Sequence, residues 1–199
     1  WPILLSEAMT VLYREAADTG PRTTARLRQS NRIAFYAEAG ERVALDISNI
    51  RVTRYVDTLE IVLFTPDLRR LKSTRVAVDE ATSVEHVATM KGMHYIAVDA
   101  GSGSAELSSD RPFFEMAVEG IPLNLFCSPV TRWFYVPSDA ESFAICARDG
   151  GPAETARITI TSPAQRIAID RDGNWKGLPH QVLVRPEEAG KVWSLTCVP

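Results

Sequence analysis

One stretch of the chain occurs twice, and this repeat restricts the fold more than any total does. IAFYAEAGERVALDI runs from Ile33 to Ile47, and WFYVPSDAESFAICA runs from Trp133 to Ala147. Phe35-Tyr36 returns as Phe134-Tyr135, and Val43 and Leu45 return as Phe143 and Ile145. In each copy two alternating runs flank a short polar turn, around Gly40 and around Ser138-Asp139. Alternation places every second side chain on one face of a strand, so each copy predicts a β-hairpin.

Later landmarks keep the same phase. Glu60 to Pro66 returns as Arg157 to Pro163, and Val84 to Tyr95 returns as Val182 to Leu195. Landmarks that stay in step over a whole unit point to an internal duplication. Each unit carries short strands separated by turn signals about 8–12 residues apart, the pattern of an antiparallel sandwich. No strand–helix–strand alternation occurs, which argues against a parallel sheet. The expected fold is therefore all-β: two tandem antiparallel β-sandwiches, jelly-roll-like, at residues 21–110 and 111–199. GSGSAELSSD, residues 101–110, reads as the connector. Residues 1–20 are expected to form a short N-terminal helix and linker. Leu4, Leu5, Ala8, Val11, Leu12 and Ala16 recur at helical spacing over residues 3–17, Ser6 can cap the start, and Gly20-Pro21 stops the run.

The order of aromatic-led alternating runs, a strand ending in a proline turn, and a closing G-x-x-Y/W-x-L/I strand resembles the bacterial pre-peptidase C-terminal domain and related jelly-roll modules. Tyr95 and Trp193 take the aromatic place in the closing strand. The resemblance covers nearly everything after residue 30, twice over, and its motifs are mostly structural. It implies a non-catalytic accessory module of a larger secreted enzyme, packing on an upstream catalytic domain or binding polysaccharide. Some such modules bind matrix protein, and some bind calcium. The acidic calcium cluster of collagen-binding members has no clear counterpart in residues 21–31.

The totals exclude some partners. A formal net charge of −3 gives no basic field for nucleic acid or an anionic membrane surface. No run of about 18 apolar residues is present, so no membrane insertion by a helix is expected. The chain starts at Trp1 without Met and shows no signal-peptide pattern, so it reads as cut from something longer. The resemblance implies an extracellular or periplasmic location. Cys127, Cys146 and Cys197 match no zinc or redox spacing; they read as free thiols or as one disulfide with one thiol left over.

No catalytic constellation is legible, and the chain is not expected to be an enzyme. His86, His94 and His180 form no metal pair at helical spacing, and no G-x-S-x-G occurs. Asp79-Glu80, Glu187-Glu188 and Asp170-x-Asp172 offer paired carboxylates, but nothing brings a pair to a working separation. Two site candidates remain. Asp170, Asp172 and Asn174 surround Gly173 as the start of a calcium loop does; the same residues also read as an Asp-Gly hairpin turn. Trp133, Tyr135 and Trp175 are candidates for a sugar-stacking face, since an aromatic ring covers the apolar C–H surface of a pyranose. Parity with Phe134 turns Trp133 and Tyr135 away from the core; the two rings also suit an interface between the units, or ordinary packing. Trp175, beside the Asp-Gly turn, is the ring expected to be most exposed. The alternative to glycan binding is a structural or adhesive module with a protein partner.

Overall fold

The computed structural model describes residues 2–5, 11–13, 23–109, 111–117, 122–125, 129–148 and 154–198. About two-thirds of them lie in strands: β1 (Pro2–Leu5), β2 (Val11–Tyr13), β3 (Thr23–Ala37), β4 (Arg42–Ile50), β5 (Leu59–Phe64), β6 (Arg70–Val76), β7 (Ala81–Val87), β8 (Gly92–Ser109), β9 (Phe114–Met116), β10 (Leu123–Asn124), β11 (Val130–Val136), β12 (Ser142–Arg148), β13 (Arg157–Thr161), β14 (Ile167–Arg171), β15 (Lys176–Leu183) and β16 (Lys191–Val198). A short 3-10 turn at Pro186–Glu188 precedes the last strand. Among the described residues no helix is long and apolar enough to cross a membrane. The chain divides into two compact units, Ala16–Glu115, and Trp1–Glu15 together with Met116–Pro199.

In the Ala16–Glu115 unit, β3 and β8 are long antiparallel partners, from Thr23↔Ser109 to Ala37↔Gly92. Both bend at one level. The register breaks between Arg28 and Ser30, where Gln29 has φ +57°, and on β8 Gly101 has φ +53°. Before its bend β8 takes β5 on its other edge, with Ile61↔Val98 and Leu63↔Ile96, and β6 pairs with β5. After the bend β8 takes β4, with Ile47↔Leu107 and Leu45↔Ser109, and β7 pairs with β4. The long strands thus serve two sheets and change sheets at the bend, as strands do at sandwich corners. Ile33, Phe35, Leu45, Ile47, Leu59, Ile61 and Ile96 are buried between the sheets. Each such side chain stabilises the fold by roughly 1.5–3 kcal/mol.

Two expectations are corrected here. Residues 101–109 are strand rather than connector. The Gly-Ser composition serves the bend: a Cβ on Gly101 would lie 2.8 Å from Asp57 Oδ2. Nor is the Ile33–Ile47 stretch a hairpin. β3 pairs with β8, while β4 pairs with β7 and β8, so the stretch is an arch from one sheet to the other. At its crest the Gly40 N–H donates to Ala88 O at 2.7 Å. Alternation and a tight turn are common to hairpin and arch; the choice is made by partners distant in sequence.

The second unit repeats this order. β11 pairs with β16, β16 with β13, and β13 with β14, while β12 pairs with β15. β11 and β12 again form an arch, and their side chains meet across the core: Phe134 stands edge-on to Phe143 at 5.6 Å, and Phe143 to Trp193 at 5.2 Å between ring centroids. The turns that close β5 and β13 match bond for bond. Leu68 N–H donates to Thr65 O and Gln165 N–H to Ser162 O, each at 2.9 Å. Thr65 N–H donates to Arg69 O and Ser162 N–H to Arg166 O, again at 2.9 Å. Leu68 and Gln165 have φ of +62° and +63°.

The N-terminal helix is a further correction. Pro2–Leu5 and Val11–Tyr13 are strands; residues 6–10 and 14–17 of the expected helix lie outside the described residues. β1 lies between β10 and β12 in the sheet β10-β1-β12-β15, and β2 pairs with β11. An isolated helix of this length is marginal, whereas the edge of β12 offers a full row of backbone partners. In place of a separate segment 1–20, residues through Glu15 belong with Met116–Pro199, and the next residues belong with the other unit.

Candidate functional site

The sheet β14-β13-β16-β11 has one face in the core and one outside. Phe134, Ile158, Ile160, Trp193 and Leu195 point inward and are buried. Register then settles the outer face, because directly paired residues share a side. On β11 it carries Thr131, Trp133 and Tyr135, opposite Thr196, Ser194 and Val192 of β16. Thr159 and Thr161 of β13 continue the Thr196 and Ser194 rows, and Asp170 of β14 continues that of Thr159. Trp133 is half-buried and Tyr135 is 54% exposed. The two rings stand two residues apart on one strand face, about 7 Å from each other along the chain.

Polar groups border the rings. Thr131 and Thr196 hydroxyls are 3.1 Å apart in a hydrogen bond. Arg157 grips Asp170 in a bidentate pair, Nε to Oδ1 at 2.7 Å and Nη2 to Oδ2 at 2.6 Å, and Thr159 donates to the same carboxylate at 3.3 Å. That pairing holds the Asp170 carboxyl below its ordinary range. The face is thus an aromatic platform beside hydroxyls and one fixed ion pair. Sequence reasoning found the rings and missed the hydroxyls. The parity of RITIT and WSLTC carries that signal, but it becomes readable only once β13 is known to lie beside β16.

Trp175 does not join this face. It is 1% exposed, its Nε1 donates to Ala156 O at 2.9 Å, and it packs between His180, edge-on at 4.9 Å, and the Arg171 guanidinium at 4.9 Å. The expectation of an exposed ring is corrected: the Asp-Gly segment joins β14 to β15 in different sheets, and Trp175, two residues beyond Gly173, turns into the core. The same topology removes the two-residue hairpin reading of Asp172-Gly173. Asp170 lies on β14 and is engaged by Arg157, while Asp172 and Asn174 are exposed beyond the strand end. Among the described residues no group of three or more His, Cys, Asp or Glu could hold a metal ion.

The aromatic place in the closing strands is also reassigned. Phe35 pairs with His94, and Phe134 with Trp193, so the counterpart of Trp193 is His94, not Tyr95. A shift of one residue moves a side chain to the opposite face. His94 is fully buried, stacked on Phe35 at 5.5 Å and facing His86 at 5.5 Å. Its Nε2 meets Met90 O at 3.1 Å. Cys146 and Cys197 are free thiols, and burial pushes the Cys197 thiol up; Cys127 lies outside the described residues.

No protein-family model matches the chain, the pre-peptidase C-terminal domain included, and no curated protein matches it. Among solved structures the chain is similar to the N-terminal CBM22-1-CBM22-2 tandem domain from Paenibacillus barcinonensis Xyn10C, at 12% identity and a TM-score of 0.28, over 100% of this chain and 86% of that one. A likeness that distant carries no argument about function. The class stands on the strands themselves: two β-sandwiches in tandem, each with an arch that crosses from one sheet to the other (β3 to β4, β11 to β12) followed by a hairpin within one sheet (β5–β6, β13–β14).

Proposed function

We propose that the chain is a non-catalytic accessory module that binds polysaccharide on the outer face of β11, β16 and β13, in an extracellular or periplasmic setting. The observation that carries this reading is the side-by-side presentation of Trp133 and Tyr135 on a sheet face lined with hydroxyls. A sugar ring buries its apolar C–H face on an aromatic plane, while Ser194, Thr131, Thr159 and the Arg157–Asp170 pair supply donors and acceptors for its hydroxyls. A sheet face suits an extended chain better than a closed pocket would.

Affinity electrophoresis against soluble polysaccharides tests the reading. Retardation by at least one glycan, lost in Trp133→Ala and in Tyr135→Ala, is the expected result. Retardation by none, or retardation untouched by both substitutions, rejects it. The same gels run with chelator ask whether Asp170, Asp172 and Asn174 hold calcium that supports binding. With Asp170 engaged by Arg157, chelation is expected to leave the retardation unchanged.

A protein partner is the second reading, favoured by one feature. β15 is an edge strand that exposes Leu178 at 63% and Leu183 at 73%. Such an edge can accept a partner strand, although Pro179 removes one backbone donor from it.

A further inference from the structure

The same slot is filled in both sandwiches, by strands from opposite ends of the repeat. In the Ala16–Glu115 unit the strand lying against β4 is the second half of β8, with Leu45↔Ser109 and Ile47↔Leu107; its other edge meets β3, with Ala25↔Leu107. In the other unit the strand lying against β12 is β1, with Leu5↔Ile145 and Ile3↔Ala147; its other edge meets β10, with Ile3↔Leu123. Since Leu45 and Ile145 are counterparts, Leu5 stands where Ser109 stands, and Ile3 where Leu107 stands. The next strand on follows suit. β9 lies beside β3, and β2 pairs with β11, with Leu12↔Phe134.

Along the chain, the first sandwich is completed by the continuation of its own closing strand β8, with β9 beside β3, whereas the second is completed by the opening strands of the chain, β1 and β2. The second sandwich is thus closed from the far end of the chain. Pro2–Leu5 pairs with β10 and β12, and Val11–Tyr13 pairs with β11, partners more than a hundred residues away in sequence. Their nearer covalent continuation, β3, belongs to the other unit.

We propose that the two strands Pro2–Leu5 and Val11–Tyr13 are an exchangeable donor and that their alternative acceptor is a second copy of this chain. The donor of one copy fills the slot beside β12 of another, and the reciprocal exchange closes a dimer. The pairings with β10, β11 and β12 are kept in the exchange, so the balance is set by the effective concentration within one chain against the concentration of copies. Such a dimer would also double the aromatic faces available to a polymeric ligand, although the exchange does not depend on that role.

The register supplies a trap for the exchange. Leu4 pairs with Cys146, a free thiol. Paired residues on antiparallel strands are about 4.5–5.5 Å apart at Cα, within disulfide range. The full chain carrying Leu4→Cys and Cys127→Ser is prepared unlabelled and isotopically heavy; the two are mixed over a range of concentrations and then oxidised. The 4–146 cross-linked peptide is read by mass spectrometry. The expected result is a heavy–light fraction that rises with concentration, together with a disulfide-linked dimer on a non-reducing gel. Only light–light and heavy–heavy peptides, at every concentration, overturn the proposal. So does failure of the 4–146 cross-link to form in a folded protein. If the variant does not fold, the unsubstituted chain in two tag lengths is mixed and resolved by size: a mixed-tag dimer supports exchange, and its absence at all concentrations refutes it.

Discussion

Glu188 shows how one residue can hold an element in place. Its carboxylate is fully buried and accepts from Arg166, with Nε to Oε1 at 3.0 Å and a second bond from Nη2 to Oε2. Arg166 also lies over the Trp193 ring at 5.5 Å, and Trp193 Nε1 donates to Glu188 O at 3.1 Å. The Arg166 pair holds the Glu188 carboxyl down at about 2. Its contribution is full above the ordinary value of 4.5 and is lost progressively as the solution is acidified from there through about 2. Glu188→Gln keeps the shape and removes the charge from a pair whose arginine is only partly exposed. We expect a loss of about 2 kcal/mol in denaturant unfolding. The histidines act at milder pH. Burial, and secondarily repulsion from His94, lowers the His86 pKa, and burial and Arg171 lower that of His180. A lowered histidine pKa means that the unfolded chain takes up the proton first. Stability is then full above the ordinary value near 6.5 and falls as pH drops toward the folded value. Urea midpoints measured from pH 7.5 down to 5.5 should fall, and His86→Gln should flatten the slope without abolishing it, since His180 adds a slope of the same sign. A slope unchanged by His86→Gln would contradict the assignment.

At the scale of elements, the sandwich depends on where strands change sheets. β8 does so at Gly101, whose φ of +53° leaves no room for a Cβ against Asp57, while Asp57 Oδ2 accepts the Ser102 N–H at 2.7 Å. Gly101→Ala is expected to cost about 1–3 kcal/mol in thermal or denaturant unfolding. A neutral result would mean that the bend is not required. The bend also explains what was legible beforehand. Strand positions, their inward faces and the repeated turns at Thr65 and Ser162 follow from alternation and proline, all local signals. The Ile33–Ile47 arch, the strand nature of residues 101–109 and the pairing of Pro2–Leu5 do not, because each is decided by a partner far away in sequence. Helical spacing at Leu4, Leu5, Ala8, Val11 and Leu12 was a local signal too, and strand pairing overrode it at both described stretches.

At the scale of the whole chain, two units of like strand order carry different outer faces. Where the second unit sets Trp133 and Tyr135 beside Ser194, the first sets Ala34 and Tyr36 beside Tyr95 and Met93. Tyr36 is tied to Glu38, its hydroxyl donating at 2.8 Å. The repeat therefore accounts for the scaffold, and the departure at position 133 accounts for the platform. The rings of this candidate site were legible from parity alone, whereas the burial of Trp175 was not, because it depends on β14 and β15 lying in different sheets. The most direct test of the account is the equilibrium affinity of the full chain and of Trp133→Ala for a retarding polysaccharide, measured by titration calorimetry alongside an unfolding curve for each. The account predicts that Trp133→Ala weakens binding about tenfold or more, equivalent to about 1.4 kcal/mol, with the unfolding midpoint little changed. Equal affinities in the two proteins would contradict it.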